Sequence, residues 1–211
     1  MVGLAAEARI AARSGFPVLA GGGTSQGAVE AADRLVAQGV TALVSFGFAG
    51  GLDPALRPGE LVIPSIVVSD GAEYRPDPAL AERFGGLSGH RLTGGTAVAA
   101  DVAAKRRLHD STRAHAVDLE SGAVARVAQA HGLPFVVVRA ISDLAETNLP
   151  PAALLGLDRQ GRVALAGVLG SLLRHPAQLP ALMRLALDAG EARRALIGVI
   201  RRMMAHPADV G

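Results

Sequence analysis

The feature that most constrains the fold of this chain is an alternation of short apolar runs with longer alanine-rich stretches. The short runs are rich in Val, Ile and Phe, which is typical of strands buried on both faces of a sheet. The predicted strands are residues 17–21, 41–47, 60–68, 116–120 and 134–142. This alternation predicts an α/β fold with a mixed, mostly parallel central sheet flanked by helices.

Two stretches repeat apolar residues at helical spacing. In the first, residues 27–38, alanines and leucines recur every three or four positions, and Gly39 follows as a helix-ending glycine. The second, residues 121–131, ends at Gly132 with a proline just beyond. Both patterns predict helices that cover the sheet.

The chain has 211 residues, half of them apolar, which is enough to bury one sizeable core. We therefore expect a single domain with residues 1–146 as its α/β core. Residues 147–211 are rich in Leu, Ala and Arg and interrupted by prolines, which predicts a helical extension packed on that core. Residues 1–3 lead at once into a turn, so a first strand is expected to be lost or to lie before the printed start.

Composition excludes several classes of protein. A formal net charge of +2 is too small for a nucleic-acid-binding surface, so no nucleic-acid partner is expected. The chain lacks cysteine, and its six histidines have no metal-ligand spacing, so we expect neither a bound metal nor a thiolate nucleophile. The sequence shows no signal peptide and no apolar run of the roughly 18–20 residues that span a bilayer, so a cytoplasmic location is expected.

The strongest candidate for chemistry is Asp143, at the end of the run Phe-Val-Val-Val-Arg-Ala-Ile-Ser-Asp that starts at Phe135. In open α/β sheets ligands bind beyond the carboxyl ends of the strands, so Arg139, Ser142 and Asp143 stand where a site would be. A desolvated carboxyl group keeps its proton to higher pH and can donate it to a leaving group. The pattern alone fits a helix cap at Asp143 equally well.

A second candidate lies where a short strand meets a helix, at Asp118-Leu119-Glu120. In an extended segment Asp118 and Glu120 share a face and Leu119 opposes them. An ionised carboxylate accepts two hydrogen bonds at once, which suits the cis-diol of a sugar. The alternative is a solvated acidic turn at a helix N-terminus.

Two glycine-rich segments complete the polar features. Residues 45–53, Ser-Phe-Gly-Phe-Ala-Gly-Gly-Leu-Asp, either bring backbone N–H groups close to a ligand or form an ordinary tight turn. Residues 21–27 lack the third glycine of a dinucleotide-binding loop and the lysine of a phosphate-binding loop, so no nucleotide cofactor is expected. Glu7 is by itself an ordinary helix residue.

Taken together and in this order, four segments resemble the nucleoside phosphorylase and methylthioadenosine/S-adenosylhomocysteine nucleosidase family. They are Ser-Phe-Gly-Phe-Ala-Gly-Gly-Leu from Ser45, Arg-Pro-Gly-Glu-Leu-Val-Ile from Arg57, Val-Asp-Leu-Glu-Ser-Gly-Ala from Val117 and Pro-Phe-Val-Val-Val-Arg-Ala-Ile-Ser-Asp from Pro134. The resemblance implies an enzyme that cleaves the N-glycosidic bond of a purine nucleoside. It implies no resident cofactor, with phosphate as a candidate co-substrate, and a homo-oligomer.

The resemblance also implies roles for single residues. Asp143 matches the carboxylate that protonates or hydrogen-bonds purine N7. Ser142 and Arg139 match neighbours that steady the acid and the reacting centre. Glu120 matches the ligand of the ribose diol, and Leu119 matches an apolar residue that packs against sugar and base.

The N-terminal motif and the glycine-rich turn depart from the family pattern. Glu7 looks like the glutamate that positions or activates water in the nucleosidases, although alanines flank it where paired acids are usual. Phe48 replaces a small hydroxyl residue, which implies a more apolar pocket. Ala49 and Gly50 of the same turn, and Asp118, are expected to line the substrate site.

Three further segments resemble the hopanoid-associated branch of this family, described as acting on adenosylhopane. They are Gly-Leu-Ala-Ala-Glu-Ala-Arg from Gly3, Leu-Pro-Pro-Ala-Ala-Leu from Leu149 and Ala-Arg-Arg-Ala-Leu from Ala192. This implies release of adenine from a nucleoside with a large lipid on its 5′ carbon. The alternatives are a methylthioadenosine/S-adenosylhomocysteine nucleosidase and a non-catalytic nucleoside- or lipid-binding protein, and attack by phosphate or by water stays open.

Residues 178–205 combine Leu, Ile and Met with arginines at helical spacing. One interpretation is a basic amphipathic helix that lies on anionic lipid, which would add a peripheral contact at the inner face of the membrane. The other, which is the commoner outcome for such a pattern, is a helix packed on its own domain or on a partner subunit.

Overall fold

A seven-stranded mixed sheet forms the centre of the computed structural model, which describes residues 1–95, 97–154 and 171–205. The strands are β1 (Leu43–Gly51), β2 (Leu61–Val62), β3 (Ile66–Ser69), β4 (Ala72–Tyr74), β5 (Arg91–Gly94), β6 (Ala116–Asp118) and β7 (Phe135–Asp143). Their order is β2-β7-β1-β6-β5-β3-β4. The pairs β1/β7, β3/β5 and β5/β6 are parallel, and β2/β7, β1/β6 and β3/β4 are antiparallel.

Helices cover both faces of this sheet and confirm the α/β class. They are α1 (Ala5–Ala11), α2 (Ser25–Ala37), α3 (Pro78–Glu82), α4 (Val102–Thr112), α5 (Ser121–Ala130), α6 (Pro151–Leu154) and a C-terminal helix (Leu179–Ala205). Helices α2 and α5 bury their alanine-rich faces against one side of β1 and β7. Helix α1, α3 and the C-terminal helix cover the other side.

The predicted helix boundaries agree with the structure because both helices carry explicit signals. The Thr24 side chain caps α2 by accepting a hydrogen bond from the Gly27 N–H at 3.1 Å. Gly39 and Gly132 follow the two helices with φ of 79° and 63°, a left-handed conformation that glycine adopts without strain.

Two of the five predicted strands were wrong in detail. Residues 17–21 form only a single bridge, between Ala20 and Val2. Residues 60–68 are divided into β2 and β3, since Pro64 between them has no N–H to donate to a ladder. Strands β4 and β5 were not predicted from the sequence, because both are short and carry no continuous apolar run.

The second half of the C-terminal helix packs on its own domain. Its buried side chains contact the face of β7 that carries Val136 and Val138; they are Ala192, Leu196, Val199, Ile200 and Met203. In the first half, Leu179, Met183 and Leu187 are 50%, 60% and 69% exposed. Among the described helices, none has the length and apolar character needed to cross a membrane. The parts of the predicted extension at 155–170 and 206–211 lie outside the described residues.

One close approach between a helix and the sheet gives a test of the fold. A Cβ atom on Gly122 would lie 2.4 Å from Ser69 Oγ and 3.4 Å from the backbone of Gly94, which are atoms with little room to move. We expect Gly122→Ala to lower the free energy of unfolding by about 1–3 kcal/mol through overpacking, measured by urea denaturation.

The matched control is Gly190→Ala in the C-terminal helix, where a Cβ would meet nothing within 4 Å. This change should be neutral or raise stability by up to about 1 kcal/mol, because alanine favours helix more than glycine does. Equal stability of the Gly122 variant and wild type would contradict the packing described for α5 against β3 and β5.

Candidate active site

A cavity of about 170 Å³ opens where β1, β6 and β7 end. This is the carboxyl edge of the central parallel pair, where α/β folds bind ligands. The sequence predicted ten residues for the site, and nine of them line this cavity: Glu7, Phe48, Ala49, Gly50, Asp118, Leu119, Glu120, Ser142 and Asp143. The tenth, Arg139, lies directly behind the wall, where it contacts Asp118 and Glu120.

A β-bulge directs Ser142 and Asp143 toward the same cavity. Neighbouring residues of a regular strand point to opposite faces of the sheet. Here Ala49 pairs with Ile141 and Gly50 with Asp143, so Ser142 is an extra residue on β7. Bulges re-aim side chains in this way and often lie next to active sites. Because β7 continues through Asp143 and the next helix begins at Pro151, Asp143 is not a helix cap.

Asp143 is held from two sides. Its Oδ2 atom accepts a hydrogen bond from Lys105 Nζ at 2.5 Å, and its Oδ1 atom accepts one from Ser142 Oγ at 3.1 Å. The serine hydroxyl and the lysine therefore hold the Asp143 carboxyl group in place. Lys105 was not identified from the sequence, so its ion pair with Asp143 was not expected.

Arg139 is the centre of a buried ion cluster. Its side chain is 0% exposed, and it contacts Asp118 Oδ2 at 2.5 Å and Glu120 Oε2 at 3.1 Å. It also donates to Ser45 Oγ at 2.8 Å. Burial lowers the pKa of Arg139, but Asp118, Glu120 and Glu7 together raise it above its usual value. Arg139 thus steadies the Glu120 side of the site rather than Asp143.

Asp118 supports the site from behind and is not a free ligand. Its Oδ1 atom accepts hydrogen bonds from the backbone N–H groups of Glu120 at 3.2 Å and Ser121 at 2.9 Å, directly before the start of α5. Its Oδ2 atom is taken by Arg139 and by the Ser121 hydroxyl. The prediction of a substrate ligand is therefore corrected for Asp118, because both of its oxygens already have partners.

Glu120 has one oxygen on Arg139 and one directed at the cavity wall near Gly3. A Cβ atom at Gly3 would lie 2.4 Å from Glu120 Oε1, so a glycine is required there. Burial raises the pKa of Glu120 to about 8; Arg139 opposes this shift, and Asp118 and Glu7 add to it. The acidic turn is thus buried, and the alternative of a solvated turn is wrong.

Glu7 points inward from α1 and is 2% exposed. Its two oxygens accept hydrogen bonds from the backbone N–H groups of Phe48 and Leu4, each at 2.6 Å. Burial raises its pKa, against the opposing effects of Arg139 and the surrounding backbone N–H groups. Gly47 leaves room for this arrangement, since a Cβ there would lie 2.2 Å from Glu7 Oε1.

Several residues of the cavity wall were not predicted from the sequence. Three of them lie in segments quoted above for other reasons, and three lie in a loop without a motif: Leu4, Gly23 and Leu149, and Ala97, Val98 and Ala99. Lys105 did carry a signal, since it lies three residues after Val102 and three before Leu108, on the inward face of α4. Within the described residues, no group of three His, Asp or Glu side chains has the arrangement of a metal site.

The charge of the site is unusual for a place that would bind an anion. Four carboxylates, Glu7, Asp118, Glu120 and Asp143, face two cations in and directly behind the cavity wall. Both cations are committed, Arg139 to Asp118 and Glu120 and Lys105 to Asp143. Among the described residues, the site therefore offers acceptors and a proton donor or acceptor pair, but no free cation.

Comparison with known proteins identifies the family. Residues 5–84 and 87–174 match the family model of the phosphorylase superfamily. In sequence the chain is similar to the 5′-methylthioadenosine/S-adenosylhomocysteine nucleosidase of Mycobacterium tuberculosis, at 29% identity over 165 residues, covering 54% of this chain and 62% of that protein. The chain thus spans less than two thirds of the length of this curated relative.

Solved structures share the fold. The 5′-methylthioadenosine/S-adenosylhomocysteine nucleosidase of Helicobacter pylori superposes with a TM-score of 0.63 at 16% identity, covering 87% of this chain and 76% of that one. Futalosine hydrolase of Helicobacter pylori gives 0.62 at 17% identity, with 87% and 76% covered. These relatives carry names that fit the alternative function left open by the sequence, and none of the three is named for adenosylhopane.

The raised pKa of Glu120 predicts a pH dependence of stability. A carboxyl group whose pKa is about 8 in the folded chain and 4.5 otherwise holds its proton more tightly when folded. This stabilisation is complete below about pH 4.5 and is lost as the pH rises toward 8. We expect Glu120→Gln, which cannot ionise, to gain about 1–3 kcal/mol relative to wild type between pH 5 and pH 8, measured by urea denaturation at each pH.

Glu73→Gln is the matched control. Glu73 is exposed, and its hydrogen bond from Arg91 lowers its pKa. The Glu73 variant should therefore show a small difference of the opposite sign. Parallel stability curves for wild type and Glu120→Gln would show that Glu120 ionises normally in the folded protein.

Proposed function

Because this chain belongs to the phosphorylase superfamily, we propose that it hydrolyses the N-glycosidic bond of an adenine nucleoside of the methylthioadenosine and S-adenosylhomocysteine class. The observation that carries the proposal is a single cavity with three separately placed carboxyl groups, those of Asp143, Glu120 and Glu7. Among the described residues at this cavity, no cation is free, because each is already paired with a carboxyl group. The names of the relatives support the same substrate class.

Each carboxyl group fits a different part of a nucleoside. Asp143, at the end of β7, would meet N7 of the purine. Glu120 would accept hydrogen bonds from the two ribose hydroxyls, with its other oxygen kept in place by Arg139 Nη2 at 3.1 Å. Leu119 and Phe48 supply apolar wall between them. Glu7 would hold the attacking water, since its oxygens have lone pairs left beyond the two backbone N–H groups.

The chemistry follows from the charges that develop as the C1′–N9 bond breaks. The bonding electron pair moves to the purine, which takes a proton at N7 from Asp143, while the ribose becomes cation-like. Water forms the new C1′–O bond and gives its proton to Glu7. The products are adenine and the free sugar, and the proton gained by Glu7 replaces, through solvent, the one lost by Asp143.

Water is favoured over phosphate as the nucleophile by the charge of the site. A phosphate dianion needs cations or free N–H donors that are not already used. Lys105 is the cationic residue among the described residues that line the cavity, and its three donors go to Asp143 and the carbonyl oxygens of Leu144 and Thr147. The described part of the cavity wall therefore has no cation free to bind the anion, which favours hydrolysis.

An adenine-release assay on methylthioadenosine, S-adenosylhomocysteine and adenosine, with and without phosphate, tests the proposal. We expect turnover of the first two substrates that does not depend on phosphate. Asp143→Asn and Glu7→Gln should each lower kcat by about 10²–10⁴-fold, because each removes one proton-transfer group. Asp33→Asn, an exposed change on α2, should keep wild-type activity.

Other results would replace the proposal. Turnover that requires phosphate would make the chain a phosphorylase. Binding of all three nucleosides without release of adenine would support the non-catalytic binding protein that the sequence left as an alternative.

A second candidate substrate is adenosylhopane, which the resemblance to the hopanoid-associated branch implies. Its support is apolar surface: Val98 at the cavity is 53% exposed, and Leu179, Met183 and Leu187 form an exposed stripe on the C-terminal helix. Arg184, Arg193 and Arg201 on the same helix are also exposed. This combination is typical of helices that lie on anionic lipid.

Vesicle sedimentation tests this candidate. If the stripe contacts membranes, the protein should sediment with anionic vesicles and less with neutral ones, and Leu179→Ser/Met183→Ser/Leu187→Ser should lower the bound fraction several-fold. The control is Phe16→Ser, which changes an exposed apolar residue outside the C-terminal helix. Absence of binding to either vesicle, together with no adenine release from adenosylhopane, would exclude it. The expected homo-oligomer stays a prediction, for which light scattering is the direct measurement.

A further inference from the structure

We infer that Lys105 is a positioning residue that makes Asp143 an effective proton donor. Its ammonium group lies beside the carboxylate that is left after the proton has moved to the purine, and it stabilises that negative charge. The inference rests on the proposed function, in which Asp143 is the acid, and adds to it a residue that does not touch the substrate.

Lys105 is placed for this role by burial and by complete use of its donors. The side chain is 1% exposed, although it comes from a helix with a largely polar sequence. Its Nζ atom lies 2.5 Å from Asp143 Oδ2, 2.6 Å from Leu144 O and 3.1 Å from Thr147 O. An ammonium group has three N–H donors, so none is left for a ligand. Lys105 can act on the substrate only through Asp143.

Burial of this lysine is not explained by stability alone. Removing an ammonium group and a carboxylate from water is unfavourable, and apolar residues of similar size often stabilise a protein as well as a buried ion pair does. Helix α4 does not need the lysine to stabilise its start, because the Asp101 side chain is its N-cap, with Oδ1 2.7 Å from the Ala104 N–H. The ion pair is therefore best explained by its effect on the charge of Asp143.

The other groups around Asp143 make a nearby cation more important. Ser142 donates a hydrogen bond to Oδ1 at 3.1 Å. Asp188, on the C-terminal helix packed beside this edge, is close enough for repulsion, since burial first, and then Asp143 and Glu191, raise its pKa. Arg139 is directed at Asp118 and Glu120. The positive charge that balances Asp143 thus comes from Lys105.

The proton transfer balances without any change in Lys105. As the C1′–N9 electron pair moves onto the purine, the proton of the Asp143 carboxyl group moves to N7. The carboxylate that remains is stabilised by the ammonium group, which keeps its three protons throughout. Without the ammonium group, this carboxylate would lose the cation that lies 2.5 Å from its Oδ2 atom.

The test uses Lys105→Met, Lys105→Arg, Asp143→Asn and the double variant Lys105→Met/Asp143→Asn in the full chain, with methylthioadenosine as substrate. We expect Lys105→Met to lower the plateau kcat by about 10–100-fold and to move the alkaline limb of the kcat profile to higher pH. Lys105→Arg keeps the positive charge, so it should recover part of kcat and return the alkaline limb of the kcat profile toward its wild-type pH.

The double variant provides the decisive comparison. If Lys105 acts through Asp143, adding Lys105→Met to Asp143→Asn should change kcat by less than about twofold. This variant also leaves no unpaired buried charge, so it should fold even if Lys105→Met alone does not. Circular dichroism and urea midpoints establish folding for each variant.

Two outcomes would overturn the inference. One is a loss of kcat in the double variant equal to the product of the two single losses; the other is a lower kcat in Lys105→Met with an unmoved alkaline limb. Either would give Lys105 a merely structural role. Failure of the proposed function looks different, because the wild-type protein itself would then release no adenine.

Discussion

The buried ion cluster around Arg139 is the interaction on which the site depends. A guanidinium group without contact to water must be surrounded by acceptors, and here the acceptors are the carboxylates of Asp118 and Glu120 and the hydroxyl of Ser45. These partners belong to β1, β6 and the loop that starts α5, so the cluster joins the two halves of the sheet. Loss of the arginine would leave several buried carboxyl groups without a cation, and the sheet edge and the ribose side of the cavity would be affected together.

Asp143 is separated from this cluster along a single strand. Arg139 and Asp143 both belong to β7, but the bulge at Ser142 lies between them and turns the strand end toward Lys105 on α4. One strand therefore carries two electrostatic environments. At Arg139 the charge is fixed and fully enclosed, whereas at Asp143 an ion pair borders the cavity. In the proposed function, this division lets one carboxyl group bind the nucleoside and another transfer a proton.

The sequence predicted the α/β class, the two long strands, α2, α5 and nine residues of the cavity wall, because these depend on local patterns and on the four family segments. It could not predict the bulge at Ser142, which is visible only when β7 is paired with β1. It also could not show that Asp118 supports the site from behind, because that requires the partners of both oxygens. Lys105 was missed because it lies in a run of basic residues that is typical of a solvated face.

The absence of a free cation among the described residues of the cavity wall has a consequence for selectivity in a cell. Nucleotides such as AMP and ATP share the adenine and ribose of a nucleoside but carry phosphate groups on the 5′ carbon. Both cations in and behind the described wall, Arg139 and Lys105, are already paired with carboxyl groups. Such a surface would give 5′ phosphates no cationic partner and would admit uncharged 5′ substituents. The ion pairs that hold the site together would thus also protect the abundant nucleotide pool from cleavage.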